Sequence, residues 1–407
     1  MIVAGLDIGN GYTKCKLSSD VSRLPVIVDI PSAVAPITRV HDVKDPDVDY
    51  VFEDLYNRMD VSFDSTLITD TNRRLFGTAA LRSGVTLEEF DVYSDVSKAQ
   101  SDLSSVLILG VLAGMGLTDY YKANKSLPDE ILKCECMISL ALPVVEYKKH
   151  RKLYAEKLKA HSHIVTFHNF EKPVRVEIFI KDVQVLAEGQ PAQYAITRRD
   201  SVSLESMIDA ARAHGMSLEG ITYRDIVEAK SSLSIDIGEG TVNFPVFSDG
   251  KFDDNVSDSF NKGYGRVLTQ ALDRLNDMGY RYDSRKRLAE FLNTEPSVLK
   301  RGQYNITKQV VDEEIAQFTD ELFRSFTKIL SKVESYVEVI YVYGGGATAV
   351  KDWLFDRLIE VSRVNGVDRF LVLYLDSEFS RYLNMEGLYI VSEALAKKFA
   401  SKGENNA

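Results

Sequence analysis

The chain of 407 residues carries 49 Lys and Arg against 60 Asp and Glu, a formal charge of −11 at pH 7 with a pI near 5.2. That length suits two or more domains of ~100–200 residues, and the acidic balance argues against a surface that wraps nucleic acid directly. No stretch reaches the ~18–20 uninterrupted apolar residues of a membrane span, the N-terminus runs into a strand pattern with no signal peptide, and Cys15, Cys134 and Cys136 are too few for a disulfide framework, so a cytoplasmic protein is expected.

Ile2-Val3-Ala4-Gly5-Leu6 is a continuous apolar run and reads as a buried strand, followed by the turn Asp7-Ile8-Gly9-Asn10-Gly11. Residues 13–17 return as its hairpin partner, which sets Lys14 beside the turn. Residues 31–97 are charged and irregular, with an acidic run from Asp42 to Asp49, and predict a surface insertion with short strands. Val106 to Leu117 reads as a buried helix. Cys134 to Leu142 is a strand ended by Pro143, a basic helix covers about 148–160, and Val174 to Ile180 alternates as a half-buried strand should. A helix over 191–198 leads to Arg198-Arg199-Asp200, the predicted domain boundary.

The second half repeats the plan. A helix with Leu204, Ile208 and Ala211 on its apolar face precedes the strand Leu233-Ser234-Ile235, which ends in a second Asp-led glycine turn, Asp236-Ile237-Gly238-Glu239-Gly240. Residues 241–247 are its expected hairpin partner. Ile315, Phe318, Leu322, Phe326, Ile329 and Val333 recur at helical spacing, and a third strand over 337–342 ends in Gly344-Gly345-Gly346-Ala347. The duplication predicts an α/β protein with two related halves and a cleft between them: residues 1–198 with an insertion at about 31–97, and 199–407 with an insertion at about 250–335 and a C-terminal helix that packs back on the first domain.

The paired turns point to a nucleotide. Glycines let the backbone take φ > 0 and turn its N–H groups toward an anion, and a carboxylate at a strand end can hold a hydrated divalent cation. Two such hairpins facing each other would grip a triphosphate, whereas one alone is usually just a hairpin. Asp7 and Asp236 are candidates for Mg2+ held through its waters, with capping of their own turns as the plainer role. Lys14 suits a β-phosphate as a point charge, and the bare glycines at 344–346 allow close approach of adenine or ribose. Cys134 and Cys136 share one strand face but have no second pair, so free, partly buried thiols are expected. His161, His163 and His168 are expected to be solvated loop residues. The basic run 148–152 is expected to be a solvated helix face or a contact for an acidic neighbour.

The first turn with Lys14, the second turn with Thr241, and the loop 344–347 resemble the phosphate-1, phosphate-2 and adenosine motifs of the actin, sugar-kinase and heat-shock-chaperone ATPase superfamily. Leu142-Pro143-Val144-Val145-Glu146-Tyr147, the segment from Val183 to Ala192, and Glu378-Phe379 followed by Asn384-Met385-Glu386-Gly387-Leu388 resemble the ParM/StbA family of bacterial actin-like plasmid-segregation ATPases. These matches run in order over nearly the whole chain. Position 187 is Ala where the family often has Pro, and residues 31–97, which form polymer contacts in actin-like proteins, show no match.

The resemblance implies an actin-like (ribonuclease H-like) duplicated fold with a nucleotide cleft, and a nucleotide site built from Gly9, Asn10, Gly11, Tyr12, Thr13, Lys14, Gly238, Glu239, Gly240, Thr241, Gly344, Gly345, Gly346 and Ala347. It also implies ATP, or GTP, with Mg2+, and catalysis by Asp7, Asp236 and Glu188, the last as the water-positioning acid. Gln184 is the reserve for that role, because actin uses a glutamine there. The implied function is ATP-dependent filament formation that segregates plasmid DNA through a basic, DNA-binding adaptor on a centromere-like site, without direct DNA binding or a membrane. The alternatives are a small-molecule, sugar-type kinase, a cytoskeletal actin homologue, or a chaperone module. The sequence shows no sugar-kinase signature, and the chain ends too soon after Leu388 for a chaperone's peptide-binding extension.

Overall fold

In the computed structural model, which describes residues 1–37, 47–91, 97–282, 284–375 and 377–404, the chain folds as two compact units, Met1–Ala195 with Tyr382–Ala407, and Ile196–Arg381. In the first unit the apolar β1 (Ile2–Ile8) turns back into β2 (Tyr12–Ser19), which pairs with β3 (Val26–Pro31). Next come β4 (Ala33–Ile37), the short helices α1 (Val48–Glu53) and α2 (Leu55–Arg58), β5 (Asp60–Asp64), β6 (Arg73–Phe76), α3 (Gly77–Arg82) and β7 (Glu88–Glu89). A 3-10 turn, Lys98–Gln100, leads into α4 (Asp102–Asn124), then β8 (Leu132–Leu142), α5 (Val144–Lys159), β9 (His163–Phe167), β10 (Val174–Ala187) and α6 (Gln190–Ile196). The ten strands make one sheet in the order β3-β2-β1-β8-β10-β9-β5-β6-β4-β7, with β1, β8 and β10 parallel at its centre.

α4 explains how the unit closes. It is apolar all round, as a helix buried on every side must be, and glycines let neighbours touch its backbone. A Cβ at Gly110 would stand 2.7 Å from the Phe76 ring, one at Gly114 2.7 Å from the Tyr56 ring, and one at Gly116 2.3 Å from Cys134 Sγ. Among the described residues α4 is the one helix long and apolar enough to cross a membrane, and it lies instead inside the protein core.

The region expected as a surface insertion is partly core. Val34, Val51, Leu55, Met59, Val61, Phe63 and Phe76 are buried, and β5 extends the central sheet by pairing with β9. Val61 and Phe167 pair across that junction, and β6, β4 and β7 follow on the far side of β5 while Phe76 and Tyr56 pack on α4, so short strands that look isolated in the sequence are buried by contacts with distant segments. Residues 42–46 of the acidic run lie outside the described residues.

The second unit starts with α7 (Ser201–Ala213) and α8 (Tyr223–Glu228) and centres on β11 (Ser232–Ile237), buried along its whole length. The expected single partner strand is two, β12 (Val242–Phe244) and β13 (Val246–Ser248). Pro245, which has no N–H to give a ladder, breaks it, and its carbonyl takes the Ser234 N–H at 2.9 Å. β14 (Lys251–Phe252), β15 (Asp258–Phe260), α9 (Tyr264–Asp277), α10 (Arg285–Asn293) and the 33-residue α11 (Arg301–Val333) follow. β16 (Val339–Tyr343) pairs parallel with β11, α12 (Ala347–Ser362) leaves it, the small hairpin β17 (Arg363–Val364) and β18 (Val367–Asp368) intervenes, and β19 (Leu371–Tyr374) pairs parallel with β16. Hairpin plus two parallel strands is thus the central motif of each unit. α13 (Ser377–Glu404) ends the described chain, and its part from Tyr382 belongs to the first unit.

Candidate functional site

The two Asp-led turns close alike. In the first, Gly9 N–H donates to the Tyr12 carbonyl at 3.1 Å, and in the second, Gly238 N–H donates to the Thr241 carbonyl at 2.9 Å. A Cβ at Gly9 or Gly238 would stand 2.7 or 2.9 Å from that same oxygen, a distance no side chain tolerates. This corrects the sequence-based reason for these glycines. None of Gly9, Gly11, Gly238 and Gly240 adopts a positive φ, so what Gly9 and Gly238 supply is room for the closing carbonyl. The register sets Asp7 opposite Lys14 and Asp236 opposite Asn243.

In the first unit, the N–H groups of Asn10 and Gly11 donate to no described residue, and the buried Asn10 Oδ1 has no partner. Ser32 braces the turn, its hydroxyl donating to Gly9 O at 2.6 Å and its N–H to Gly11 O at 3.0 Å. Thr13 is fully buried with its hydroxyl 2.9 Å from that of Ser32, while Tyr12 is exposed. Lys14 Nζ lies 4.0 Å from Asp7 Oδ2. Burial pushes the Asp7 carboxyl above its ordinary range, Lys14 opposes, and the charge of Glu188 adds to the rise.

Glu188 lies just past β10, buried, its N–H donating to Leu142 O at 2.7 Å. Its Oε1 accepts from Lys98 Nζ at 2.7 Å, and the same ammonium donates to Ile8 O at 3.1 Å. Burial alone would lower the Lys98 pKa, but Glu188, by charge and hydrogen bond, with Glu146 and Asp7, raises it, so the side chain is a cation. Glu146 in the first turn of α5 takes the Ser97 hydroxyl at 2.5 Å and the Lys98 N–H at 2.8 Å. Gln184 is exposed within β10, level with Ser139 and Gly5 and so two residues short of Asp7 along the sheet. The structure therefore gathers Asp7, Lys14 and Glu188, adds Lys98, and leaves Gln184 apart.

In the second unit Asp236 is buried at the end of β11. Gly344, with φ +102°, lies against it, where a Cβ would meet Asp236 Oδ1 at 2.7 Å and Ile237 O at 2.5 Å. Ser380 Oγ accepts the Gly344 N–H at 2.7 Å, and Gly346 N–H reaches Ile237 O at 2.9 Å, which ties the third glycine loop to the second hairpin. The N–H groups of Gly240 and Gly345 donate to no described residue. A Cβ at Gly345 would meet nothing within 4 Å. Ala347 opens α12, whose cap residue Gly346 offers no side chain to the first N–H groups, an arrangement that favours an anion or ligand dipole. Glu239 is paired with Arg285, Oε1 to Nη1 at 3.1 Å, its carbonyl takes the Gly265 N–H, and Thr241 Oγ1 accepts from Asn243 at 3.3 Å.

Taken by itself, each hairpin has features that suit a phosphate: open backbone donors and a carboxylate at the strand end in both, with an orphaned amide oxygen at Asn10 in the first. No group of three or more His, Cys, Asp or Glu among the described residues is arranged to hold a metal directly. Mg2+, which keeps several waters and takes one or two carboxylates with phosphates, is compatible with Asp7 or Asp236 as outer partners.

Other sequence candidates lie elsewhere. Cys134 and Cys136 are free and buried rather than partly exposed, and burial raises both thiols, Cys134 to about 11. His163 is fully buried rather than solvated, its Nδ1 2.8 Å from the Ser65 hydroxyl and its Nε2 3.1 Å from Leu158 O. Ser32, Lys98, Arg285 and Ser380 were missed in the sequence. None sits in a glycine motif, and only long-range folding brings them to one.

Residues 5–190 match the family model for the N-terminal domain of actin-like proteins, and residues 234–356 match that for the C-terminal part of archaeal MreB-like actin homologues. Similar solved structures include Bacillus thuringiensis ParM with AMPPNP (16% identity, 97% of this chain and 99% of that one, TM-score 0.57). The archaeal actin homologue Ta0583 (12%, 97% and 100%, TM-score 0.61) and the psk41 ParM protein in its apo form (17%, 98% and 98%, TM-score 0.53) are further examples. A comparison with curated proteins gives no match. At these identities the structural likeness speaks for the fold, and it is the actin-like duplicated α/β fold.

Proposed function

This chain belongs to the actin-like proteins, and from that premise we propose that it binds and hydrolyses ATP, or GTP, and polymerises into filaments whose disassembly follows hydrolysis. The observation that carries this reading is the pair of Asp-led hairpins with one closing hydrogen bond and open N–H donors. The backbone of 9–11 and 238–240 holds phosphates, Lys14 neutralises them, and the loop 344–347 takes the adenosine end. Asp7 and Asp236 are the residues that would hold Mg2+ through water, and the ion would supply charge neutralisation on the phosphates. Glu188 orients the attacking water. Structures of Bacillus thuringiensis ParM with ADP and with AMPPNP support nucleotide binding by this fold.

The finer reading is DNA segregation. A filament of chains with charge −11 repels DNA phosphates, so the link to a plasmid runs through a positively charged adaptor. The test is sedimentation and light scattering of micromolar protein with Mg2+ and ATP, GTP, ADP or no nucleotide. Scattering that rises with triphosphate and decays as it is consumed is the expected result. Turnover without any pelleted polymer would transfer the reading to a small-molecule kinase.

A further inference from the structure

We propose that Lys98 is a positioning residue for Glu188, a tether that fixes the carboxylate to the end of the strand carrying Asp7; the proposal rests on the reading that Glu188 orients the attacking water. One ammonium makes both bonds, to Glu188 Oε1 at 2.7 Å and to Ile8 O at 3.1 Å, and Ile8 directly follows Asp7. Both side chains are largely buried, 13% and 12% exposed, where water screens the pair little and side-chain freedom is small. The tether's other end is fixed as well, because Glu146 at the start of α5 holds the Lys98 N–H and the Ser97 hydroxyl. Glu188 stands on a connection between β10 and α6, and such a connection sets its own side-chain placement poorly. An acid that orients water must sit within a few tenths of an ångström of its working place, which a charge-assisted bond to the strand end supplies. Neither Lys98 nor Glu146 lies in a glycine motif.

The test compares Lys98→Met, Lys98→Arg, Glu188→Gln and the double variant Lys98→Met with Glu188→Gln. The readouts are kcat and KM for ATP with Mg2+, affinity for a fluorescent ATP analogue, and a thermal melt to establish folding. Lys98→Met should lose about 10–100-fold in kcat, the scale of a misplacement near the chemistry, with KM and affinity within about threefold of the parent. Lys98→Arg should recover most of the loss. The double variant should be no slower than Glu188→Gln alone, because two groups acting as one unit are not additive. Parental turnover in Lys98→Met beside a slow Glu188→Gln overturns the tether and leaves Glu188 in its role. Parental turnover in Glu188→Gln overturns that role and the tether with it. A loss confined to KM, as for a phosphate ligand, or losses that multiply in the double variant, as for a scaffold residue, also overturn the proposal. If Lys98→Met does not fold, Lys98→Gln, which keeps a donor without the charge, carries the same comparison.

Discussion

Asp7 holds its proton more tightly in the folded chain than an ordinary Asp, because burial penalises the carboxylate. The folded state therefore binds more protons than the unfolded one between the ordinary value of 3.8 and the raised value. Stability falls as pH rises through that window, and the full deficit persists above it. Asp7→Asn should thus melt higher than the parent at pH 7 without nucleotide, by about 2–4 °C for each kcal/mol recovered, and the gain should vanish below pH ~3.8. The same change should cut hydrolysis at least ~10²-fold, as should Asp236→Ala, the scale for losing an electrostatic contributor to the transition state. Phosphate release and a calorimetric scan on one preparation measure both effects. Glu188→Ala should keep ATP affinity and lose turnover. If Gln184→Ala shows that pattern instead, the water belongs to Gln184, exposed though it is.

At the scale of elements, the part of α13 in the first unit lies close against its neighbours. A Cβ at Gly387 would fall 1.8 Å from Pro191 O, and one at Gly5 in β1 would fall 2.2 Å from the Tyr389 N. Polar bonds lock the same face: Ser392 donates to Ala4 O at 2.7 Å, Ser139 to Leu388 O at 2.5 Å, and Lys16 reaches Glu386 at 2.6 Å. Gly387→Ala has no flexible side-chain end to push aside, only the Pro191 backbone. It should destabilise by about 1–3 kcal/mol or more, the range for forced overpacking, read as a lower midpoint in urea. Gly344→Ala faces strain at φ +102° and a clash with the Asp236 carboxylate. It should weaken nucleotide binding more than it lowers the melting point, which isothermal titration beside a melt would separate.

For the whole molecule, the charge of −11 makes one further expectation. Purified protein should not retard bare DNA in a gel at ~150 mM salt, where the ~8 Å screening length leaves little long-range attraction. Addition of a basic DNA-bound adaptor should restore the shift, and added salt should abolish it. Tight retardation of naked DNA by the protein alone would leave filaments standing and remove the need for the adaptor.

The local text of the chain determined the hairpins and their order. An apolar run ending in Asp-Ile-Gly-x-Gly has few conformations open to it, and its recurrence 229 residues later was enough to read a duplicated α/β fold. Period and punctuation likewise marked the buried α4, the strand β8 closed by Pro143, and the apolar face of α11, since each depends on residues within a few positions of one another. What lay beyond was decided by contacts between distant segments. β5 enters the core through its pairing with the distant β9 and with β6. His163 is buried within β9 with its ring nitrogens on Ser65 and Leu158, partners its own sequence neighbours do not announce, and Pro245 splits a strand whose two halves both flank β11. Lys98 reaches Glu188 across 90 positions of sequence. No motif marks such a pair, because the energy of an ion pair depends on where the fold places its two ends and how far it removes them from water.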